Sequence, residues 1–319
     1  MKEQISTNVY NLQKGDTVYF LQSNGDIKES IWEDSSEQQN IRNLGYAFLS
    51  KEAANDKLML RKILVALRAN EYSLTTENWK NDKEFKYSLA YDFKTNELDI
   101  NRNTDDKTDN LFFKSSADII IALESFLYNM KIDIKEVVKN LLNINFSIDD
   151  KDITIIKPAG WDVSDIETNT FIKGDKVFLL NTDGTIIESE WIGNDEQKMM
   201  KDLGFVFTTK EETQFEIKNQ LIEEKIKQYA HDFTQEEWCN EDITKYYLDF
   251  SFNEKEIGIY DSTIRKFTRF NFKEIEDTRK VIKEIGIKDL LLYYFKVEES
   301  YVMDIIDSIT VVDHSNEDE

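Results

Sequence analysis

The sequence predicts an α+β fold made of two tandem copies of one module. In each copy, antiparallel hairpins and a meander pack on two or three helices. Three observations predict it. Residues 14–32, KGDTVYFLQSNGDIKESIW, recur as residues 173–191, KGDKVFLLNTDGTIIESEW. The same spacing of 159 residues carries Leu44-Gly45 to Leu203-Gly204, Trp79 to Trp238, Tyr87 to Tyr246 and Phe113-Lys114 to Phe272-Lys273. Finally, strand and helix patterns mix without the βαβ alternation of a parallel sheet. A period this long means two whole modules, not a solenoid of 20–50-residue units. The expected division is a first module at 1–145, a linker and lead-in strand at 146–172 around Pro158 and Gly160, a second module at 173–314, and an acidic tail at 315–319.

Each element follows from its residues. Val18-Tyr19-Phe20-Leu21 and Val177-Phe178-Leu179-Leu180 are apolar strand runs, and each leads into Asn24-Gly25 or Asp183-Gly184. These dipeptides tolerate the positive φ of a hairpin turn. The return strands end at Trp32 and Trp191. A polar stretch containing glutamine then forms a helical turn that closes at Gly45 or Gly204, a suitable left-handed helix end. A short strand follows around Phe48 or Phe207. Thr209 and Glu212 have capping-box spacing, whereas after Ser50 the glutamate is replaced by Ala53. The helices so started run to about residues 69 and 230.

The meanders are Phe85–Phe93 returning through Leu98 and Ile100, and Tyr246–Phe252 returning through Ile257–Tyr260. Strands ending at Phe112-Phe113 and Phe270–Phe272 come next. Helices are expected at Ala117–Met130 and Ile275–Ile285, then at Ile132–Leu142 and Leu291–Tyr301.

Composition narrows the function. The 319 residues include 40 Lys and Arg against 63 Asp and Glu, a net charge of −23. Residues 1–159 carry 26 acids and 21 bases, a net −5; residues 160–319 carry 37 and 19, a net −18. Such acidity argues against general nucleic-acid binding, which needs cations to displace counterions, and against attraction to anionic lipid. No apolar run is long enough for a leader or a membrane span. With Cys239 alone, no intramolecular disulfide can form, which fits a reducing compartment.

The repeated order of Lys-Gly-Asp, strand, Asp/Asn-Gly turn, Trp, a basic residue three before Gly, and Phe-x-Thr/Ser-Lys-Glu resembles a small module of bacteriophages and prophages, a family of hypothetical phage proteins. Its core has the form Trp…Arg…Gly-Asn-x-Phe-x-Thr-x-Glu-Glu-Ala. Trp32, Arg42, Gly45 and Phe48 match it, as do Trp191, Gly204, Phe207, Thr209, Glu211 and Glu212. The segment Ile285-Gly286…Tyr293-Tyr294-Phe295 fits the family's ending. Tyr46 and Phe205 stand where the family has Asn, and Lys201 where it has Arg. The resemblance implies a phage origin, and hence a host-cytoplasm setting, and a fold, but no reaction.

The residues themselves give little chemistry. There are two histidines, His231 and His314, and the latter lies in a polar tail. His231 stands beside Asp232 and near Cys239, but a nucleophilic pair needs spatial adjacency and an orienting third group, and a helix-end histidine with an incidental cysteine is the plainer reading. The run Thr104–Asp109 lacks the glycine and terminal glutamate of a calcium loop. No metal or cofactor is expected, and no enzyme. A metal-dependent nuclease using scattered carboxylates is the only tenable catalytic form.

The expected function is a phage-encoded, non-catalytic inhibitor of a host macromolecule, of the anti-CRISPR or anti-restriction kind. An acidic face on the second copy would mimic nucleic acid in a cationic groove. The residues assigned to it are Glu236, Glu237, Glu241, Asp242, Asp249, Glu254 and Glu256. The partner would be a host protein or protein–nucleic-acid complex, with a homodimer as a further assembly. One alternative is a protein that sequesters a nucleotide or small signal, using Trp191, Trp238, Arg265, Lys266 and Arg269 as a stacking and cationic surface. Another is a structural or assembly protein of the virion.

Overall fold

The computed structural model describes residues 9–68, 75–81, 86–92, 97–103, 113, 171–261, 265–266 and 270–315. In the first half these form strands β1 (Thr17–Leu21), β2 (Ile27–Ile31) and β3 (Ala47–Phe48), with helix α1 (Ser36–Asn43) before β3. Helices α2 (Lys51–Arg68) and α3 (Thr76–Lys80) and strands β4 (Lys86–Asp92) and β5 (Glu97–Asn103) follow. The second half gives β6 (Lys176–Leu180), β7 (Ile186–Glu190), α4 (Asp195–Asp202), β8 (Val206–Phe207), α5 (Lys210–Lys227) and α6 (Gln235–Cys239). Beyond them come β9 (Tyr246–Ser251), β10 (Glu256–Asp261), β11 (Arg265–Lys266), α7 (Ile275–Ile285), α8 (Glu299–Ile305) and β12 (Thr310–Asp313). The fold is α+β, with small sheets that are mainly antiparallel.

Two compact units divide the chain, and each takes segments from both halves. One comprises Met1–Val65 and Glu167–Glu224; the other comprises Ala66–Ile166 and Lys225–Glu319. Neither coincides with one of the expected modules.

The first unit contains the sheets β2-β1-β3 and β7-β6-β8. In β1–β2, Gln22 N–H donates to Asp26 O at 2.8 Å, leaving a three-residue loop that closes on Gly25 at φ +86°. This is the hairpin that Asn24-Gly25 predicts, one residue longer than the tightest type. Trp32 and Trp191 end the return strands, their amides bonded to Asp16 O and Asp175 O. The glutamines of the next stretch tie α1 and α4 to those strands. Gln38 Nε2 donates to Ile31 O at 2.9 Å, and Gln197 Nε2 donates to Glu190 O at 2.9 Å. The capping box of α5 is present in both directions, with Glu212 N–H donating to Thr209 Oγ1 and Thr209 N–H to the Glu212 carboxylate. At α2 only Ser50 caps, accepting from Ala53 N–H.

The core of this unit is shared. Val18, Phe20, Leu21, Trp32, Ile41, Leu44 and Tyr46 from the first half cluster with Leu180, Met200, Leu203 and Phe205 from the second. A three-stranded sheet with one two-residue strand offers only a small apolar face. Close approach of helix ends to the other half's long helix makes the sharing possible. Gly204 follows α4 at φ +71°, and a Cβ there would lie 2.9 Å from Val65 Cγ2 on α2. Gly45 follows α1 at φ +76°, and a Cβ there would lie 2.2 Å from the Glu224 carboxylate on α5.

Arg61 of α2 locks one of these contacts. Its Nε donates to Leu203 O at 2.8 Å and its Nη2 to Gly204 O at 3.3 Å, supplying the carbonyls left over at the end of α4. Its Nη1 donates to Tyr46 Oη, its guanidinium lies 4.1 Å from the Phe205 ring centroid, and Glu216 stands 3.8 Å away. Burial pushes the Tyr46 phenol well above its ordinary range, although Arg61 pulls it down. Glu224 is held by Tyr10 Oη at 2.9 Å and faces Lys57 at 3.8 Å.

The second unit contains the sheets β11-β4-β5 and β12-β10-β9. Here too the halves mix: Trp79 of α3 stacks on Phe252 at 5.6 Å and 6°, and Lys80 lies 4.3 Å over the Tyr301 ring. Helix α7 runs Ile275–Ile285 as expected. The expected helix Leu291–Tyr301 does not form as one piece. A π-helical turn, Leu290–Tyr294, ends where Lys296 adopts φ +51°, and α8 starts afresh at Glu299. The break lets Phe295 and Val297 both bury, which a continuous helix would not. Strand β12, expected by no pattern, runs parallel to β10. The expected helices Ala117–Met130 and Ile132–Leu142, most of the 146–172 linker, and the tail beyond Ser315 lie outside the described residues.

Arg61→Ala should lower the stability of the first unit by about 2–3 kcal/mol, because it strands two helix-end carbonyls and the Tyr46 hydroxyl. Urea unfolding of the full chain measures this. Arg61→Lys should recover less than half, since an ammonium cannot span the three acceptors.

Candidate interaction site

The expected acidic residues cluster around α6 and the two strands that follow it. Thr234 caps α6 and accepts from Glu237 N–H at 3.2 Å, while Thr234 N–H donates to Glu237 Oε2 at 2.9 Å. This capping box fixes Glu237 inward along the helix end and leaves Glu236 exposed. Beyond the helix, Asn240 builds a turn in which its Oδ1 accepts from Asp242 N–H at 2.9 Å and its carbonyl from Lys245 Nζ at 2.8 Å.

Lys245 is only 2 % exposed and lies 5.8 Å from the Trp238 ring. An ammonium is tolerated there because it is bonded and faces an indole. It draws the turn back onto α6 and holds Glu241 and Asp242 outward. The first half repeats the device: buried Lys86 donates to Asn81 O at 2.9 Å and lies 5.6 Å from the Trp79 ring.

The seven assigned acids do not form one face. Glu236, Glu241 and Asp242 are exposed near the start of β9. Glu254 is exposed at the β9–β10 turn, at the far end of a six-residue strand and so roughly 20 Å away. Glu237 is engaged by His231 Nε2 at 3.3 Å and Lys273 Nζ at 3.4 Å. Glu256 lies 2.6 Å from His314. Asp249 departs most from its assignment. It is 4 % exposed, and its Oδ1 accepts from Phe250 N–H, so it belongs to the interior. Strand β9 is buried at four successive positions, Leu248–Ser251, so alternation did not reveal which side chains face out.

The residues of the alternative surface divide between the two units. Trp191 is 6 % exposed and packs on Phe171 in the first unit. Trp238 is 1 % exposed and meets Phe233 edge-on in the second. At that burial neither indole offers a ring face to a base. Arg265 and Lys266 form β11, paired with Tyr91 and Ala90 of β4. Arg269 lies outside the described residues.

His231 donates its backbone N–H to Asn271 O and sets its ring edge-on against Phe233, while Cys239 is exposed at the end of α6. Among the described residues, no three or more His, Cys, Asp or Glu side chains gather as a metal site, and no helix is long and apolar enough to cross a membrane. Two features escaped the sequence reading. The buried lysines had a signal, an identical Asn-x4-Lys spacing in both halves. The partnership of His314 had none, because it depends on β12. No family model, curated protein or solved structure matches the chain.

The Glu237 carboxyl is lowered to about 2, first by the Thr234 N–H, against some desolvation, and then by His231 and Lys273. A depressed carboxyl stabilises the fold above its unfolded value of roughly 4.3 and stops doing so as pH falls through its folded value. The α6 region should therefore loosen between about pH 4.3 and pH 2. Trp238 fluorescence, followed down in pH, should show this transition. In Glu237→Gln it should be weaker, on a region already less protected at neutral pH.

Proposed function

We propose that the chain is a duplicated module of phage origin whose two copies fold into one another. Its role on this reading is non-catalytic: it binds and inhibits a host macromolecule, of the kind that defends the host against foreign nucleic acid. The carrying observation is the exposed acidic turn after α6. Glu236, Glu241 and Asp242 project from one capped helix and its turn, in the half of the chain with a net charge of −18. Lys245 and the Thr234 capping box fix that turn, so little entropy is lost when it meets a partner.

A group of carboxylates on a fixed turn suits a Lys/Arg groove that otherwise receives phosphates, and speeds encounter with it. The reduced acidic set that supports this reading is Glu236, Glu241 and Asp242, with Glu254 as a separate contact. The burial of Trp191 and Trp238 weighs against a base-stacking surface.

Affinity purification of the tagged full chain from host cells tests the proposal. A co-eluting nuclease or defence complex that dissociates at high salt is expected. Replacing Glu236, Glu241 and Asp242 together by Lys should weaken that complex more than tenfold in a chain that circular dichroism shows is still folded. Capture of capsid or tail components alone, or a salt-insensitive complex unaffected by the triple change, would overturn it.

A further inference from the structure

We infer that β12 is a pH-sensitive clasp on the edge of β10, closed while the His314 imidazole is protonated and loosened when it is not. The strand itself is weakly held. Its four residues pair in parallel with Glu256–Ile259, and none of them is buried. Outside the ladder, Thr310 N–H donates to Lys255 O at 3.3 Å and His314 N–H donates to Ile259 O at 2.9 Å. An edge strand with no buried side chain opens at low cost unless something else fastens it.

The fastening is a cluster of side chains from three strands. His314 Nε2 lies 2.6 Å from Glu256 Oε1, with the two side chains only 18 % and 13 % exposed. The imidazole stacks on the Tyr260 ring at 4.7 Å and 13°. Tyr260 in turn stacks on Tyr247 of β9 at 5.7 Å. Gly258 is the floor of this cluster. A Cβ there would come within 2.2 Å of the Tyr260 ring, so only glycine lets the ring lie across the strand. At the same spacing of 159 residues Asn101 stands for Tyr260, and the position for His314 falls on Ile155 in the linker, so the set is private to the second half.

The surrounding charges favour the imidazolium. Glu256 faces it from β10, while the adjacent Asp313 is turned to Ser315 and to Arg279 of α7, which hold its carboxyl below the usual range. Arg279 is shared with Glu276, also on α7, at 3.1 Å, which offsets its positive charge. Lys255 precedes Glu256 in the turn, where its carbonyl holds Thr310. A carboxylate at hydrogen-bond distance favours the protonated ring.

A histidine whose affinity for its proton rises on closure stabilises the closed state below its unfolded pKa, near 6.5, and stops doing so as pH rises through the higher closed-state value. Each tenfold gain in proton affinity on closure limits the open fraction at acid pH to about a tenth of its alkaline value.

Hydrogen exchange of the full chain at pH 6.0 and pH 8.5, corrected for intrinsic rates, tests the clasp. Protection of residues 310–314 should fall about fivefold to tenfold with rising pH, while α7 stays constant. His314→Gln and Glu256→Gln should each remove the pH dependence and leave protection at the alkaline level. Equal protection at both pH values, a pH dependence that survives in His314→Gln, or an imidazole that titrates at or below 6.5 by NMR would overturn the proposal.

Discussion

The close approach of a helix end to a long helix from the other half governs the first unit. At Gly204 the backbone comes so near α2 that a single Cβ would meet Val65, and the carbonyls exposed there are taken by Arg61. With those contacts in place, Tyr46 and Phe205 meet at 5.5 Å and the two small sheets share one core. Without them, each sheet would show an apolar face to water. The constraint is steric as well as electrostatic. A larger residue at either glycine would need both a different φ and a wider gap.

Local elements were largely legible, because local chemistry determines them. The hairpins came from Asn24-Gly25 and Asp183-Gly184, the α5 cap from Thr209 and Glu212, and α7 from its amphipathic pattern. Their association was not legible. The constant spacing of 159 residues suggested two modules side by side, and the compact units instead each take segments from both. A repeat fixes which residues correspond; it does not fix whether a segment packs on its own copy or on the other. Strand β12 shows the same limit. Thr310–Asp313 carries no alternation strong enough to announce a strand, and a β10 edge makes it one.

Charge shows a related gap between counting and placing. The second half is the acidic one, yet several of its carboxylates are already occupied. Glu224 is bound by Tyr10, Glu237 by His231 and Lys273, Glu256 by His314, and Asp249 is interior. The exposed acids near α6 are few, and a buried lysine holds the turn that carries them. Lys86 and Lys245, counted among the bases, act as internal fasteners rather than surface charge. A net charge therefore overstates the surface available to a partner and says nothing of its orientation.

The interleaving of the halves has a genetic consequence. A chain built of separate domains tolerates loss of one, since the surviving domain still folds. Here each compact unit needs segments from both halves, so a deletion of either half, or a stop codon between them, leaves two incomplete units instead of one intact domain. The halves are thereby bound to a common fate. Neither half can be discarded without opening both units.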